Sequence, residues 1–234
     1  MKLLSFNVRG LGSNVKKREI REIVRKMEID VCFVQETKRE ILGLWELKMI
    51  WGGEDFGYAE QSAEGRSGGI LTIWNEKKFV ASSHWEIPGA LIVNGFCRIG
   101  NLACCLVNVY AAQNPSEKEI LWDTIGMMLG QNREACVCVA GDFNAIRAAE
   151  ERSGRGLQFS PREMRVFDNF ITGNALEDIR LQGRGFTWYQ PQGLCKTKLD
   201  RFLVNDKWLP HLGALKSKRI TKIGVGSLPN STGY

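Results

Sequence analysis

ACVCVAGDFN (residues 135–144) joins an unbroken apolar run, Ala135 to Ala140, to a polar Gly-Asp-Phe-Asn segment. A run this short and this rich in Val and Cys reads as a strand buried on both faces, and such strands lie in sheets covered by other layers. The polar residues that follow then sit at the rim of a sheet, where a rigid backbone can aim a carboxylate or an amide into a cleft. The same arrangement recurs along the chain. Asn7 follows LLSF, Gln35-Glu36-Thr37 follows VCFV, and Asn108 and Tyr110 end LVNVY. Each of these alone has a plain reading as a turn amide, a solvated acid or an Asp that caps backbone amides. Their joint occurrence at the ends of separate apolar runs points to convergence on one site, and carboxylate and amide oxygens are hard ligands suited to magnesium.

Outward from these runs, Lys2 to Val8 alternates as a strand does and closes in the turn Arg9-Gly10-Leu11-Gly12. In the following segment Ile20, Ile23, Val24 and Met27 share one helical face, and Lys16, Lys17, Arg18, Arg21, Arg25 and Lys26 take the others, which predicts an amphipathic basic helix. Val31–Gln35 is the next strand. From Phe56 to Tyr110 the stretches Gly69–Trp74, Phe79–Trp85, Leu91–Ile99 and Leu102–Tyr110 predict an antiparallel meander punctuated by Gly, Asn and Pro. Ser116 with Glu119 reads as a capping box for a helix whose apolar face is Leu121, Ile125, Met128 and Leu129. Ser160, Pro161 and Glu163 open another, ending near Gly173 with Met164, Phe167 and Ile171 inward. Short strands are predicted at Gly185–Trp188 and Leu199–Val204, before a basic segment holding Lys216, Lys218, Arg219 and Lys222. This order predicts an α/β fold, two sheets packed face to face with helices outside, in a single domain over residues 1–234.

Thirty-two Lys and Arg against 26 Asp and Glu leave a net charge of +6, which favours phosphate-bearing partners, with nucleic acid foremost. Most of the seven cysteines lie in apolar runs, as Cys32, Cys104, Cys105, Cys136 and Cys138 do, and read as reduced core thiols. With only His84 and His211, zinc is poorly served. Asn7 and Arg9 interrupt the first apolar stretch too early for a secretion signal, and no apolar run approaches the ~20 residues of a membrane span. The expected protein is soluble and intracellular, in a reducing compartment, with no membrane partner.

The series Phe6-Asn7-Val8-Arg9, Gln35-Glu36-Thr37, Ser67-Gly68-Gly69, Asn108-Val109-Tyr110, Gly141-Asp142-Phe143-Asn144 and Leu199-Asp200-Arg201-Phe202 resembles the motif series of the endonuclease/exonuclease/phosphatase superfamily over nearly the whole chain. Leu176-Glu177-Asp178-Ile179-Arg180-Leu181 and Gly183-Arg184-Gly185-Phe186-Thr187-Trp188 look closer still to the N-terminal endonuclease domain of plant LINE-type, non-LTR retrotransposon polyproteins. The resemblance implies a four-layer α/β sandwich and hydrolysis of DNA phosphodiesters with Mg2+ or Mn2+, in the nucleus and with no small-molecule cofactor. It also assigns roles by position. Glu36 and Asn7 hold the metal, Tyr110 contacts the phosphate, Asp142 positions or deprotonates water, Asn144 binds phosphate beside it, and Asp200 orients a catalytic histidine. Arg184 and Trp188 are candidate DNA contacts, with a core role the plainer reading for Trp188.

The chain departs from the family pattern after Asp200. The family's Ser-Asp-His signature is expected there, before a last core strand, but the corresponding stretch reads Gly224-Val225-Gly226-Ser227-Leu228-Pro229-Asn230. His211 comes too soon and lacks a preceding Asp, and His84 matches no motif. The expectation is therefore a C-terminally incomplete domain lacking its last strand. An active endonuclease is weighed against a catalytically inactive remnant that binds metal or DNA weakly, and against relatives that cleave lipid or inositol phosphodiesters. Oligomeric state is left open.

Overall fold

The computed structural model describes residues 1–65, 67–154, 159–179, 181–182, 185–190, 195–211 and 217–218. Its order is β1 (Leu3–Asn7), α1 (Asn14–Met27), β2 (Val31–Gln35), α2 (Leu44–Trp51), β3 (Phe56–Glu64), β4 (Ser67–Asn75), β5 (Phe79–Ile87), β6 (Ala90–Cys97), β7 (Leu102–Tyr110), α3 (Pro115–Gln131) and β8 (Cys136–Asp142). After a 3₁₀ turn at Ala149–Glu151 come β9 (Arg152–Gly154), α4 (Pro161–Gly173), β10 (Glu177–Asp178), β11 (Leu181–Gln182), β12 (Trp188–Tyr189), β13 (Cys195–Thr197) and β14 (Asp200–Val204). A second 3₁₀ segment, Asp206–His211, precedes β15 (Ser217–Lys218).

The two large sheets have the orders β1-β2-β4-β3 and β10-β14-β8-β7-β6-β5. Both are mixed: β1 runs parallel to β2 and β7 parallel to β8, while the remaining neighbours are antiparallel. Among the described residues β1 is an outer strand of the four-stranded sheet.

The period-two pattern of each strand divides the apolar residues into three layers. Val31 and Phe33 of β2, Leu106 of β7 and Cys138 and Ala140 of β8 face the space between the sheets. Their neighbours Cys32 and Val34 meet Ile20 and Val24 of α1 and Leu47 and Ile50 of α2 outside the four-stranded sheet. Val107, Val109 and Val139 meet Leu121, Trp122 and Ile125 of α3 and Phe167, Phe170 and Ile171 of α4 outside the six-stranded one. The result is the expected four-layer α/β sandwich.

Several local expectations change. Helix α2 was not anticipated. Its apolar residues surround most of its short length, and it starts at Gly43, which has no capping side chain of its own, with only Glu46 Oε2 accepting the Gly43 N–H. Helix α3 is capped by Asn114 with Pro115 in the first turn, in place of a Ser116/Glu119 capping box, because Glu119 turns outward to Arg162. Met27, expected inward, is exposed at the end of α1, and β6 stops at Cys97 so that Ile99 lies in an exposed turn. The strand expected at Gly185–Trp188 falls at Trp188–Tyr189. Helix α4 is as expected, with the Ser160/Glu163 capping box formed. All seven cysteines are buried and free of disulfides.

Candidate active site

The same alternation that fills the space between the sheets carries polar residues into it where the strands end. On β1, Leu3, Ser5 and Asn7 share the inward face; on β8, Cys136, Cys138, Ala140 and Asp142; on β14, Val204, Phe202 and Asp200. Register then brings their ends together, because Asn7 pairs with Gln35, Tyr110 with Asp142, and Asp142 with Asp200. Across the gap between sheets the Asn7 amide donates to Asp142 Oδ2 at 2.9 Å. One layer deeper, the Gln35 amide donates to Ser5 Oγ at 3.1 Å and to Asn108 Oδ1 at 2.7 Å. The Asn108 amide goes on to the Leu71 carbonyl and Thr72 Oγ1, so the sheets are pinned together just beneath the polar rim.

Glu36 lies one residue beyond β2 with φ 57°, a left-handed conformation that turns the chain at the rim. The backbone around it is stitched to its neighbours. Val8, Gly10 and Leu11 N–H groups donate to the Gln35, Glu36 and Thr37 carbonyls, and Thr37 and Lys38 N–H groups donate to Gly69 and Gly68. At Gly69, with φ 80°, an added Cβ would lie 2.2 Å from Thr37 Oγ1, so the close approach of the two loops needs glycine. The Glu36 carboxylate pairs with Lys38 Nζ at 2.9 Å and is close enough to the Tyr110 phenol to raise its pKa. Burial, then the charges of Glu36 and Asp142, push the Tyr110 phenol up to about 12, so it stays a donor.

Asp142 is buried, and burial together with the Asp200 carboxylate across the strand pair raises its carboxyl to about 7, against the opposing hydrogen bonds from Asn7 and the Asn144 N–H. Gly141 before it has φ 144° and no room for a Cβ, which would lie 2.0 Å from the Val109 carbonyl. Asn144 has φ 45° and donates through its side-chain amide to the Ala111 carbonyl at 2.7 Å. The Leu199 and Asp200 N–H groups both donate to Thr187 Oγ1, which ties the resemblance segment at 185–188 to the rim.

Two lysines are built into this edge: Lys16, expected only on the basic face of α1, and Lys118, to which the sequence reading assigned no role. Lys16 Nζ donates to the Val8, Arg9 and Gly10 carbonyls at 2.8, 3.1 and 3.1 Å, bracing the loop after Asn7. Buried Lys118 of α3 donates to the Asn144 carbonyl and to Glu163 Oε1, each at 3.1 Å. Lys17, also assigned to the basic face, is buried against Glu46 at 2.6 Å. A lysine at helical spacing gives no sign of which carbonyl it will reach, so these contacts were not legible in the sequence.

His84 lies away from the rim, exposed on β5, the far edge strand of the six-stranded sheet. His211 closes the 3₁₀ segment after Val204, and Val204 pairs with Cys138 near the start of β8, a few residues back along the strand from the Asp142 end. Trp188 is half-buried; Arg184 and the segment at 219–222 lie outside the described residues. Among the described residues no three His, Cys, Asp or Glu side chains form a ready metal cluster. No helix among them is long and apolar enough to cross a membrane.

Known proteins place this architecture. The AP endonuclease LMAP of Leishmania major superposes with a TM-score of 0.70 at 17% identity, over 88% of this chain and 79% of that one. The 3′ phosphatase NExo from Neisseria, bound to a product DNA hairpin, gives 0.69 at 15% identity over 90% and 88%. The endonuclease domain of TRAS1, a telomere-specific non-LTR retrotransposon, gives 0.63 at 10% over 89% and 86%. No curated protein sequence matches. At these identities the likeness is one of fold, but the sequence model of the endonuclease/exonuclease/phosphatase family matches residues 4–214, and the chain belongs to that family.

Proposed function

We propose that this chain is a divalent-metal phosphodiester hydrolase of the DNA endonuclease type, from the lineage of plant LINE-type retrotransposons. The observation that carries this reading is the meeting of Asn7, Glu36, Tyr110, Asp142, Asn144 and Asp200 at one rim, from five strands of two sheets. The donor set fits magnesium or manganese, which take oxygen ligands, use one or two carboxylates and keep several waters. Glu36 and Asn7 would hold the ion, which supplies charge stabilisation at the phosphoryl and leaving oxygens.

The protein's own groups do the rest. Tyr110 donates to a phosphate oxygen, Asn144 fixes the phosphate beside it, and Asp142 orients the attacking water and accepts its proton. Asp200 sits where it can orient an acid or assist Asp142. Lineage is supported by the segments at 176–181 and 183–188 and by the likeness of fold to TRAS1.

A second reading, a chain that holds metal or DNA and turns over nothing, is favoured by the place of His84, exposed on the far edge strand β5 and away from the rim. Loss of a general acid lowers rates by ~10²–10⁴. Nicking of supercoiled plasmid with and without Mg2+, beside Glu36→Ala, separates the two. Metal-dependent nicking lost in the variant supports the enzyme. No nicking by the folded protein leaves the second reading.

A further inference from the structure

The loop from Thr37 to Gly43 leads from Glu36 into α2, and α1 begins shortly after Asn7, so the starts of both helices lie at the site end of the four-stranded sheet. Exposed apolar side chains gather there: Val15, Ile41, Leu44 and Trp45 are all more than half exposed. Single exposed apolar residues need no explanation, but a cluster beside a catalytic rim does.

Trp45 is held in place. Its ring packs over Gly43, where an added Cβ would lie 3.2 Å from Trp45 Cδ1. The buried Lys17 ammonium lies 5.0 Å from the ring centroid, fixed there by its ion pair with Glu46, which also holds Arg39 at 3.1 Å. The ring therefore has a cationic support in Lys17 while Trp45 as a whole residue is 58% exposed to solvent. Around it the loop carries Lys38, paired with Glu36, and Arg39, paired with Glu46, both still partly exposed, and Arg9 is exposed on the adjacent loop.

We propose that Trp45 is a stacking platform for an unpaired base of a DNA strand that runs past the rim, with Lys38, Arg39 and Arg9 following its phosphates. This rests on the DNA reading above and adds to it the single-stranded character of the DNA next to the site. A flat, pre-oriented ring loses little entropy on binding, any base offers it a π face, and flanking cations attract the backbone. A protein partner would use Ile41 and Leu44 as much as Trp45 and would not need the cations.

The test is fluorescence anisotropy of a labelled 20-nucleotide single strand with residues 1–234 in EDTA, for wild type, Trp45→Ala, Trp45→Phe and Ile41→Ala. Stacking on one base predicts binding weaker by roughly tenfold in Trp45→Ala. Trp45→Phe should stay within about threefold of wild type, and the salt dependence should be unchanged because no phosphate contact is lost. Thermal melting of each variant verifies folding, which an exposed ring does not control. Equal affinity of wild type and Trp45→Ala, or an equal loss in Ile41→Ala, overturns the platform while leaving the DNA reading standing. Absence of binding by wild type overturns the platform, and the DNA reading is then decided separately by Mg2+-dependent plasmid nicking.

Discussion

Replacing Asp142 by Asn should make the metal-free protein more stable at neutral pH while removing the group assigned to the attacking water. Asp142 titrates at about 7 in the fold and at 3.8 in its ordinary setting. Below pH 3.8 both folded and unfolded chains hold the proton and the residue takes nothing from stability. As pH rises from 3.8 to about 7 the unfolded chain releases the proton and the native one retains it, so stability falls through that window and the loss is complete above it. At about 1.4 kcal/mol per pH unit the whole window is worth at most ~4 kcal/mol, and the part between pH 5 and pH 8 roughly 3. Asn cannot titrate. It retains an oxygen for the Asn144 N–H but puts an NH₂ group opposite Asn7, a cost of ~1 kcal/mol that is the same at every pH and drops out of the difference. Urea unfolding in EDTA at 25 °C should therefore show the Asp142→Asn advantage growing by roughly 3 kcal/mol from pH 5 to pH 8. Curves that stay parallel within 0.5 kcal/mol, on the order of ordinary non-additivity, would refute the claim that burial and Asp200 raise this carboxyl. Addition of Mg2+ at pH 8 should stabilise wild type more than the variant.

Arg201 is fully buried over the Phe167 ring and pairs with Glu151 and Asp178; Arg201→Met leaves these carboxylates to Lys198 alone among the cations and should cost on the order of 3 kcal/mol in urea unfolding. Gly69→Ala puts a methyl against Thr37 at positive φ, so a loss of roughly 2 kcal/mol and a weaker apparent affinity for Mg2+ in plasmid nicking are expected. Lys118→Met should lower the rate of nicking more than it alters Mg2+ dependence, because Lys118 holds the Asn144 carbonyl and lies away from Glu36; an unchanged rate in a folded variant would show that the Asn144 loop holds itself.

Much of the fold was legible because alternation and helical spacing are carried by adjacent residues. Val31–Gln35, Leu102–Tyr110, the strand through Ala140 and the Ser160 helix start all appear close to where local pattern puts them. Helix α2 was missed because eight residues with no capping side chain at Gly43 carry too little periodic signal. Ser116 misled because Asn114 and Pro115, two residues earlier, offer the better helix start.

By itself the sequence determined which residues stand at strand ends and on which face of each strand they lie, since a side-chain period of two is local geometry. It also determined the placing of Asn7, Glu36, Tyr110, Asp142 and Asn144 at polar ends of apolar runs, and the likeness to a family, which singled out Asp200. Only the tertiary structure decided that Asn7 meets Asp142 across 135 residues, that Lys118 reaches Asn144, and that Lys17 is buried beneath Trp45. Those contacts depend on which sheet closes over which and in what register, and that follows from the packing of whole layers, which no short window of sequence contains.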